Sequence, residues 1–277
     1  MSDRLNCAPE NGIKEELGIA AIPLDIRWAE PQRNLLEAER IVRTLGPGTD
    51  IAVLPELFTT AFIDDPSLIG DVAEGSEGPT MMAVRKLAAE TGIAIAGSFL
   101  CVEHRVYLNR GFFVTPEGGT TFYDKRHLFC LSPEATLFGR GDDEVPIVCY
   151  KGWNIAIVVC YDLRFPAWCR NRGQRYDVLL VPANWPHARA YAWHHLLIAR
   201  AIENQAVVVG ADRSGTDDYG CYDGMTAVYD PMGQPVGESD TSDFRAPVYA
   251  SETLTRLRKL RRSLPFGNDA DDFSLIR

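Results

Sequence analysis

The chain has 277 residues, enough to bury a substantial core as one large α/β domain or two small ones. At 46% hydrophobic and 24% charged residues the composition is that of an ordinary globular protein, which excludes disorder, a collagen helix and a coiled coil. A formal net charge of -10 repels phosphate backbones and anionic lipid heads, so neither nucleic acid nor a membrane is an expected partner.

After a polar leader, MSDRLNCAPENGIKEEL, with no apolar signal core, residues Leu17 to Leu24 read as a buried strand. Helical apolar spacing follows from Pro31 to Leu45, then a strand from Asp50 to Leu54 and a helix from Pro79 to Glu90. Strands are expected at Ile93 to Val102, Val106 to Thr115 and Thr120 to Tyr123, with Glu117, Gly118 and Gly119 as turn residues. Val145 to Tyr150 and Asn154 to Cys160 read as a hairpin joined at Lys151-Gly152. A helix beginning near Pro166, a nearly all-apolar strand from Tyr176 to Pro182 and a long helix from Arg189 to Asn204 come next. Strands at Ala206 to Gly210, Met225 to Asp230, Pro235 to Gly237 and Val248 to Ala250 precede a last helix from Glu252 to Leu260. No Pro- or Ser-rich linker divides the chain, so residues 1–277 are read as one α/β domain with mixed sheets.

Seven cysteines without C-x-x-C spacing, mostly in apolar runs, suit a reducing compartment, and a cytoplasmic protein is expected. Lacking H-E-x-x-H, paired-Cys spacing, a phosphate loop and G-x-G-x-x-G, the sequence implies no metal and no cofactor. The basic cluster Arg256, Arg258, Lys259, Arg261 and Arg262 reads as a solvated helix face.

The sharpest local feature is VVCYDLRFP, in which an apolar strand runs straight into Cys160 ahead of a helix start. Such a turn exposes a side chain and frees backbone N–H groups, although a cysteine at the end of an apolar strand is more often structural. A thiol with an ordinary pKa of about 8.5 needs a base or a nearby cation to act as a nucleophile. Glu56 follows the apolar run IAVLP, and Lys125 follows TFYD; each alone reads as a helix-start or solvated charge. Three strands ending in an acid, a base and a thiol form a set, because ligands of α/β sheets gather at strand C-terminal ends. His127, two positions from Lys125, keeps a Cys-His dyad open, whereas His194 and His195, adjacent on a helix, cannot chelate one metal from one face.

LPELF around Glu56, YDKRHLF around Lys125, CYDLRFP around Cys160, and the later VPANWP and ARAIENQ resemble the nitrilase superfamily of carbon-nitrogen hydrolases along essentially the whole chain, and most closely its bacterial omega-amidase branch. The resemblance implies a four-layer α-β-β-α sandwich, protomers paired through helical faces as a homodimer, no cofactor, and a small-molecule amide such as 2-oxoglutaramate as substrate. It implies Cys160 as nucleophile, Glu56 as base, Lys125 and the backbone N–H of Tyr161 as oxyanion donors, and Glu134, in LSPEATLF, as a second glutamate that holds Glu56 and Lys125 in place. Asn184, Trp185, Phe58, Arg164 and Arg189 are candidates for the pocket, with either arginine able to meet a substrate carboxylate. A carbamoylase or nitrilase would share the triad, and a non-catalytic binding protein could keep the fold.

Cys160→Ser and Cys160→Ala are expected to fold normally and lose turnover of an amide, because a carboxylate that suffices to activate a thiol does not activate a hydroxyl; circular dichroism beside an ammonia-release assay checks both halves. Alkylation is expected to label Cys160 first among the cysteines if it is the exposed, electropositive one.

Overall fold

The computed structural model describes residues 12–237, 243 and 245–275, so the leader through residue 11, with Cys7, lies outside the described residues. The first half runs β1 (Glu16–Ala21), α1 (Pro31–Thr44), β2 (Ile51–Val53), α2 (Ile69–Val72), α3 (Pro79–Thr91), β3 (Ala94–Glu103), β4 (Val106–Val114) and β5 (Thr120–Asp124). Then come α4 (Glu134–Leu137), β6 (Phe138–Gly139), β7 (Ile147–Tyr150), β8 (Trp153–Ile157), α5 (Pro166–Cys169), β9 (Val178–Ala183) and α6 (Ala190–Asn204). Last are β10 (Val207–Asp212), β11 (Ser214–Asp217), β12 (Gly220–Asp223), β13 (Ala227–Tyr229), β14 (Val248–Thr253) and α7 (Leu254–Ser263).

One sheet has the order β14-β1-β2-β3-β4-β5, with β6 beside β4, and the other the order β13-β10-β9-β8-β7. In each, parallel strands form the middle (β1, β2, β3; β8, β9, β10) and antiparallel strands flank them. Period-2 alternation on the first sheet sorts its side chains to two faces. Ile19, Val53, Ala96 and Phe113 share a buried cluster with Ile155, Ile157, Val178 and Leu180 of the second sheet. Their neighbours Ala52, Leu54, Ile95 and Phe112 share another with Ala38 and Val42 of α1 and Val84 and Leu87 of α3. On the far side α6 buries Trp193, Leu197 and Ala201 against the second sheet. The layers are therefore α-β-β-α, as the resemblance implies.

Two glycines set the layer spacing. A Cβ at Gly111 would sit 3.2 Å from the Tyr123 carbonyl and the Val159 Cγ2 where the sheets meet. At Gly210 it would lie 2.6 Å from Leu197 Cδ1 and Trp193 Cζ2, under α6. Each fully buried aliphatic side chain between these layers contributes roughly 2 kcal/mol.

The structure departs from the sequence reading in several places. The strand before the thiol stops at Ile157, and a 3₁₀ turn, Cys160–Arg164, precedes the short α5. Pro235–Gly237 forms only an isolated bridge, Pro235 to Tyr229. The hairpin β11–β12 and the short α4 and β6 carry too little periodicity to be read from sequence. Arg261 of the basic cluster is buried: its guanidinium donates to Asp177 Oδ1 and the Tyr176 carbonyl, each at 2.7 Å, and ties α7 to the start of β9. Cys149 is disulfide-bonded rather than reduced, while Cys101, Cys130, Cys160, Cys169 and Cys221 are free thiols. Among the described residues no helix is long and apolar enough to cross a membrane.

Asp50, just before β2, fastens the sheets together at one edge. Its buried carboxylate accepts from Lys14 Nζ, Lys151 Nζ and the Gly18 amide at 2.6–2.8 Å. Burial alone would push this carboxyl up, but the two ammonium groups and the amide hold it below its ordinary 3.8. A depressed carboxyl stabilises the fold above that ordinary value, and the contribution disappears as pH falls below it. Asp50→Asn is expected to lose about 2 kcal/mol in urea unfolding at pH 7, and the gap from wild type should narrow below about pH 4.

Candidate active site

Glu56 stands just past β2, where Leu57 takes a left-handed φ of 48° and bends the chain sharply. The bend is held by Ser98 of β3, whose Oγ accepts from the Leu57 amide at 2.9 Å and donates to Asn109 Oδ1 at 2.9 Å. Asn109 of β4 then donates from Nδ2 to Glu56 Oε1 at 2.7 Å and to Glu134 Oε1 at 3.3 Å. Lys125, directly after β5, reaches between the same carboxylates, donating to Glu56 Oε1 at 2.8 Å and to Glu134 Oε1 and Oε2 at 2.8 and 3.0 Å. All three charged side chains are buried. Burial works against the Lys125 ammonium, yet Glu134 and Glu56 outweigh it and hold its pKa well above the usual value, so it stays charged. Its three N–H donors face three carboxylate oxygens, two of them on Glu134.

Cys160 has a left-handed φ of 45°, the strained elbow that the sequence VVCYD implied. Asp162 braces that elbow from within. Its buried carboxylate accepts from the Val159 amide at 3.1 Å, the Tyr123 hydroxyl at 2.7 Å and the His127 amide at 2.9 Å. The Cys160 thiol lies within reach of Glu56 and the Asn184 amide. Burial, then the Glu56 carboxylate, push the thiol well above its usual pKa, and Lys125 opposes them. The sulfur is therefore held as a protonated thiol.

These groups open into a cavity of about 240 Å³, the size for a small metabolite rather than a drug-sized ligand. Glu56, Lys125, Glu134 and Cys160 form its buried end, with Tyr161 beside them, and Phe62, Phe129, Leu131, Tyr219 and Tyr222 its apolar walls. Asn184, Trp185, Arg164 and Arg189 complete it. The Arg164 guanidinium stacks 4.8 Å from the Trp185 ring and that of Arg189 5.1 Å from Phe129, and neither forms an ion pair among the described residues. A thiol beside a carboxylate, an ammonium, and the backbone N–H groups of an elbow can together attack a carbonyl carbon and hold the resulting oxyanion.

The sequence model for carbon-nitrogen hydrolases matches residues 18–254. The chain belongs to that family. Carbon-nitrogen hydrolases similar to it include the omega-amidase YafV of Escherichia coli strain K12, 37% identical over 94% of this chain and 98% of that one, and the 2-oxoglutaramate amidase of Bacillus subtilis strain 168, 28% identical over 91% and 96%. Among solved structures, XC1258 of Xanthomonas campestris, a CN-hydrolase superfamily protein described with an arsenic adduct in its active site, superposes with a TM-score of 0.87 at 36% identity, covering 95% of this chain and all of that one. The chain is thus an enzyme of the nitrilase superfamily.

Against that family frame, Glu56, Lys125, Glu134, Cys160, Tyr161, Asn184, Trp185, Arg164 and Arg189 all meet at one cavity. Phe58 does not: past the bend at Leu57 its ring is fully buried and packs edge-on against Phe112, 6.0 Å away, in the core under α1 and α3. Nor is Cys160 the most accessible thiol, since it is buried while Cys130 and Cys221 are exposed, which removes the ground for labelling it first. Sequence reasoning missed Asn109, Ser98 and Asp162, which sit inside apolar or motif segments and look like ordinary strand or loop polar residues. His127 is absent from the cavity lining; it stacks on Phe165 with centroids 3.7 Å apart and pairs through Nδ1 with Asp162 at 2.8 Å. His127→Ala is accordingly expected to keep at least about a tenth of wild-type kcat, far from the loss of a general base; steady-state assays at equal folded fraction decide it.

Proposed function

We propose that this carbon-nitrogen hydrolase, working as a single domain over residues 1–277, hydrolyses the ω-amide of a small 2-oxo dicarboxylic acid monoamide, with 2-oxoglutaramate as the representative, to the dicarboxylate and ammonia. The observation that carries the reading is one cavity holding Cys160 beside Glu56 and Lys125 together with two arginines that have no ion-pair partner among the described residues. Similarity to an omega-amidase at 37% identity supports it. A cytoplasmic setting fits the five free thiols among the described residues, and a homodimer fits the exposed Tyr191 and Ile202 on α6.

In the proposed reaction Glu56 takes the thiol proton as Cys160 attacks the amide carbon. The oxyanion receives a Lys125 N–H, released from one of the two Glu134 oxygens, and the Tyr161 amide, the donor freed by the elbow. Glu56 returns the proton to the leaving nitrogen, ammonia departs, and a thioester remains on Cys160. Water, deprotonated by Glu56, then attacks the thioester, the C–S bond breaks, and the Cys160 sulfur takes the proton back from Glu56 as the carboxylate product leaves. Glu134 touches Lys125 and not the reacting atoms; with the Phe129 amide on its Oε2 at 2.6 Å it keeps the ammonium where both steps use it.

Ammonia release across 2-oxoglutaramate, 2-oxosuccinamate, glutamine, asparagine, N-carbamoyl amino acids and simple nitriles tests the substrate class. The 2-oxo ω-amides are expected to show the highest kcat/KM; a preference for a carbamoyl compound or a nitrile would replace the reading, and no turnover at all would favour a binding protein. Lys125→Met should lower kcat about a hundredfold with little change in KM, the size of one lost oxyanion donor.

A further inference from the structure

Asp212, the last residue of β10, lies beside Ala183 in the β9–β10 register and is fully buried. Its Oδ1 accepts from the Trp185 amide at 2.7 Å, and its Oδ2 has no hydrogen-bond partner. Its own backbone is clasped by Thr226, whose Oγ1 accepts from the Asp212 amide and donates to the Asp212 carbonyl, both at 3.1 Å. One residue before Trp185, the Asn184 amide donates to Glu56 Oε2 at 2.9 Å, and Asn184 Nδ2 donates to the Glu56 carbonyl at 3.2 Å. Two successive amides at the end of β9 therefore hold two different carboxyl groups.

We propose that Asp212 is a positioning residue for Glu56, acting through the rigid peptide between Asn184 and Trp185. That peptide unit is planar, so fixing the Trp185 N–H fixes the plane and restricts the Asn184 backbone whose amide rests on Glu56. Among the described residues β10 makes no hydrogen bond to Glu56, so apart from the direct influence of charge its hold on the carboxylate runs along this path. The orphaned Oδ2 indicates the form in which Asp212 acts, since a buried carboxylate oxygen with no donor is costly while a neutral carboxyl is much less so. Burial is the largest influence pushing this carboxyl well above the usual range and the Glu56 charge adds to it, against the Trp185 and Arg213 amides and the Arg213 guanidinium. As a neutral acid it supplies an acceptor without placing a second negative charge behind Glu56.

The inference rests on the reading of Glu56 as the base, and four variants separate the two. Glu56→Gln tests that reading: loss of turnover sustains it, and near-normal turnover would overturn it together with the role of Asp212. Asp212→Asn keeps a neutral acceptor for the Trp185 amide, so kcat and the acid limb of the kcat/KM–pH profile are expected within about twofold of wild type. Asp212→Ala removes the acceptor; kcat should fall about tenfold or more. The acid limb should also move to higher pH by about half a unit or more, because a carboxylate that loses a well-held donor takes up its proton more readily. A merely structural role would lower the folded fraction without moving that limb. Asp212→Ser, too short to reach the amide, gives the same test should the alanine variant fail to fold. An unmoved limb and unchanged kcat in the folded Ala or Ser variant, with Glu56→Gln inactive, would overturn the positioning role alone; so would an Asp212→Asn enzyme that folds yet loses tenfold or more in kcat.

Discussion

Around the buried Lys125 ammonium, clamped between the Glu56 and Glu134 carboxylates, the rest of the site is arranged. No strand could leave such an ammonium in a core unpaired, since removing one partner of a buried ion pair costs roughly 3–5 kcal/mol. The constraint therefore fixes where three segments end: β2 delivers Glu56, β5 delivers Lys125, and α4 begins at Glu134. Two carboxylates and one ammonium leave a net charge of −1, which is tolerable only because further donors share it. Asn109 supplies Nδ2 to both carboxylates, and the Asn184 and Phe129 amides supply one each. The Ser98–Asn109 pair carries this network down into the inner strands of the sheet, so the charges are tied to β3 and β4 as well as to the loop amides of Asn184 and Phe129.

The second constraint is the elbow at Cys160. A non-glycine residue at φ 45° persists only where surrounding contacts outweigh the strain, and Asp162 provides them by gathering the Val159 amide, the Tyr123 hydroxyl and the His127 amide. Trp168 donates onto the Tyr123 hydroxyl at 2.8 Å and extends the brace into α5. The two sheets meet here, since Tyr123 closes β5 and Val159 follows β8. The backbone geometry at Cys160 thus depends on sheet-to-sheet packing, and the close approach permitted by Gly111 belongs to the same requirement.

The apolar rhythm of the sequence carried most of the architecture, because both sheets bury parallel strands whose residues are hydrophobic almost without interruption, as at Val178 to Val181. Glu56, Lys125 and Cys160 could be found because each is a reactive group where such a run stops. Glu134 had no local signal and came only through resemblance to a family. Asn109 was hidden differently: it lies in the middle of β4, where a polar residue in an apolar strand says nothing about its partners until β2, β5 and α4 are folded around it. Phe58 misled for the opposite reason. Two positions from Glu56 in sequence, it is turned into the core by the left-handed Leu57, a backbone feature that leucine does not announce. Arg261 looked like one more solvated charge on α7, and its burial follows from the carbonyls left at the end of β9's entry turn, which no helix pattern encodes.

Charge distribution inside the cavity gives direction to a substrate. Glu56, Lys125 and Glu134 are buried and sum to −1, whereas Arg189 is exposed, Arg164 is half-buried, and together they add +2 nearer solvent. In the proposed reaction an amide carrying a carboxylate is repelled from the deep end and drawn to the guanidinium groups, leaving the neutral amide as the part that can approach Cys160. Stacking on Trp185 and Phe129 holds each guanidinium in a fixed plane, which suits bidentate capture of a planar carboxylate and limits the side-chain entropy lost on binding. Their positive charge stands against an overall net charge of −10. In the proposed reaction a neutral amide of the same size would gain nothing from the two guanidinium groups, so an anionic substrate is favoured and oriented with its reacting bond inward.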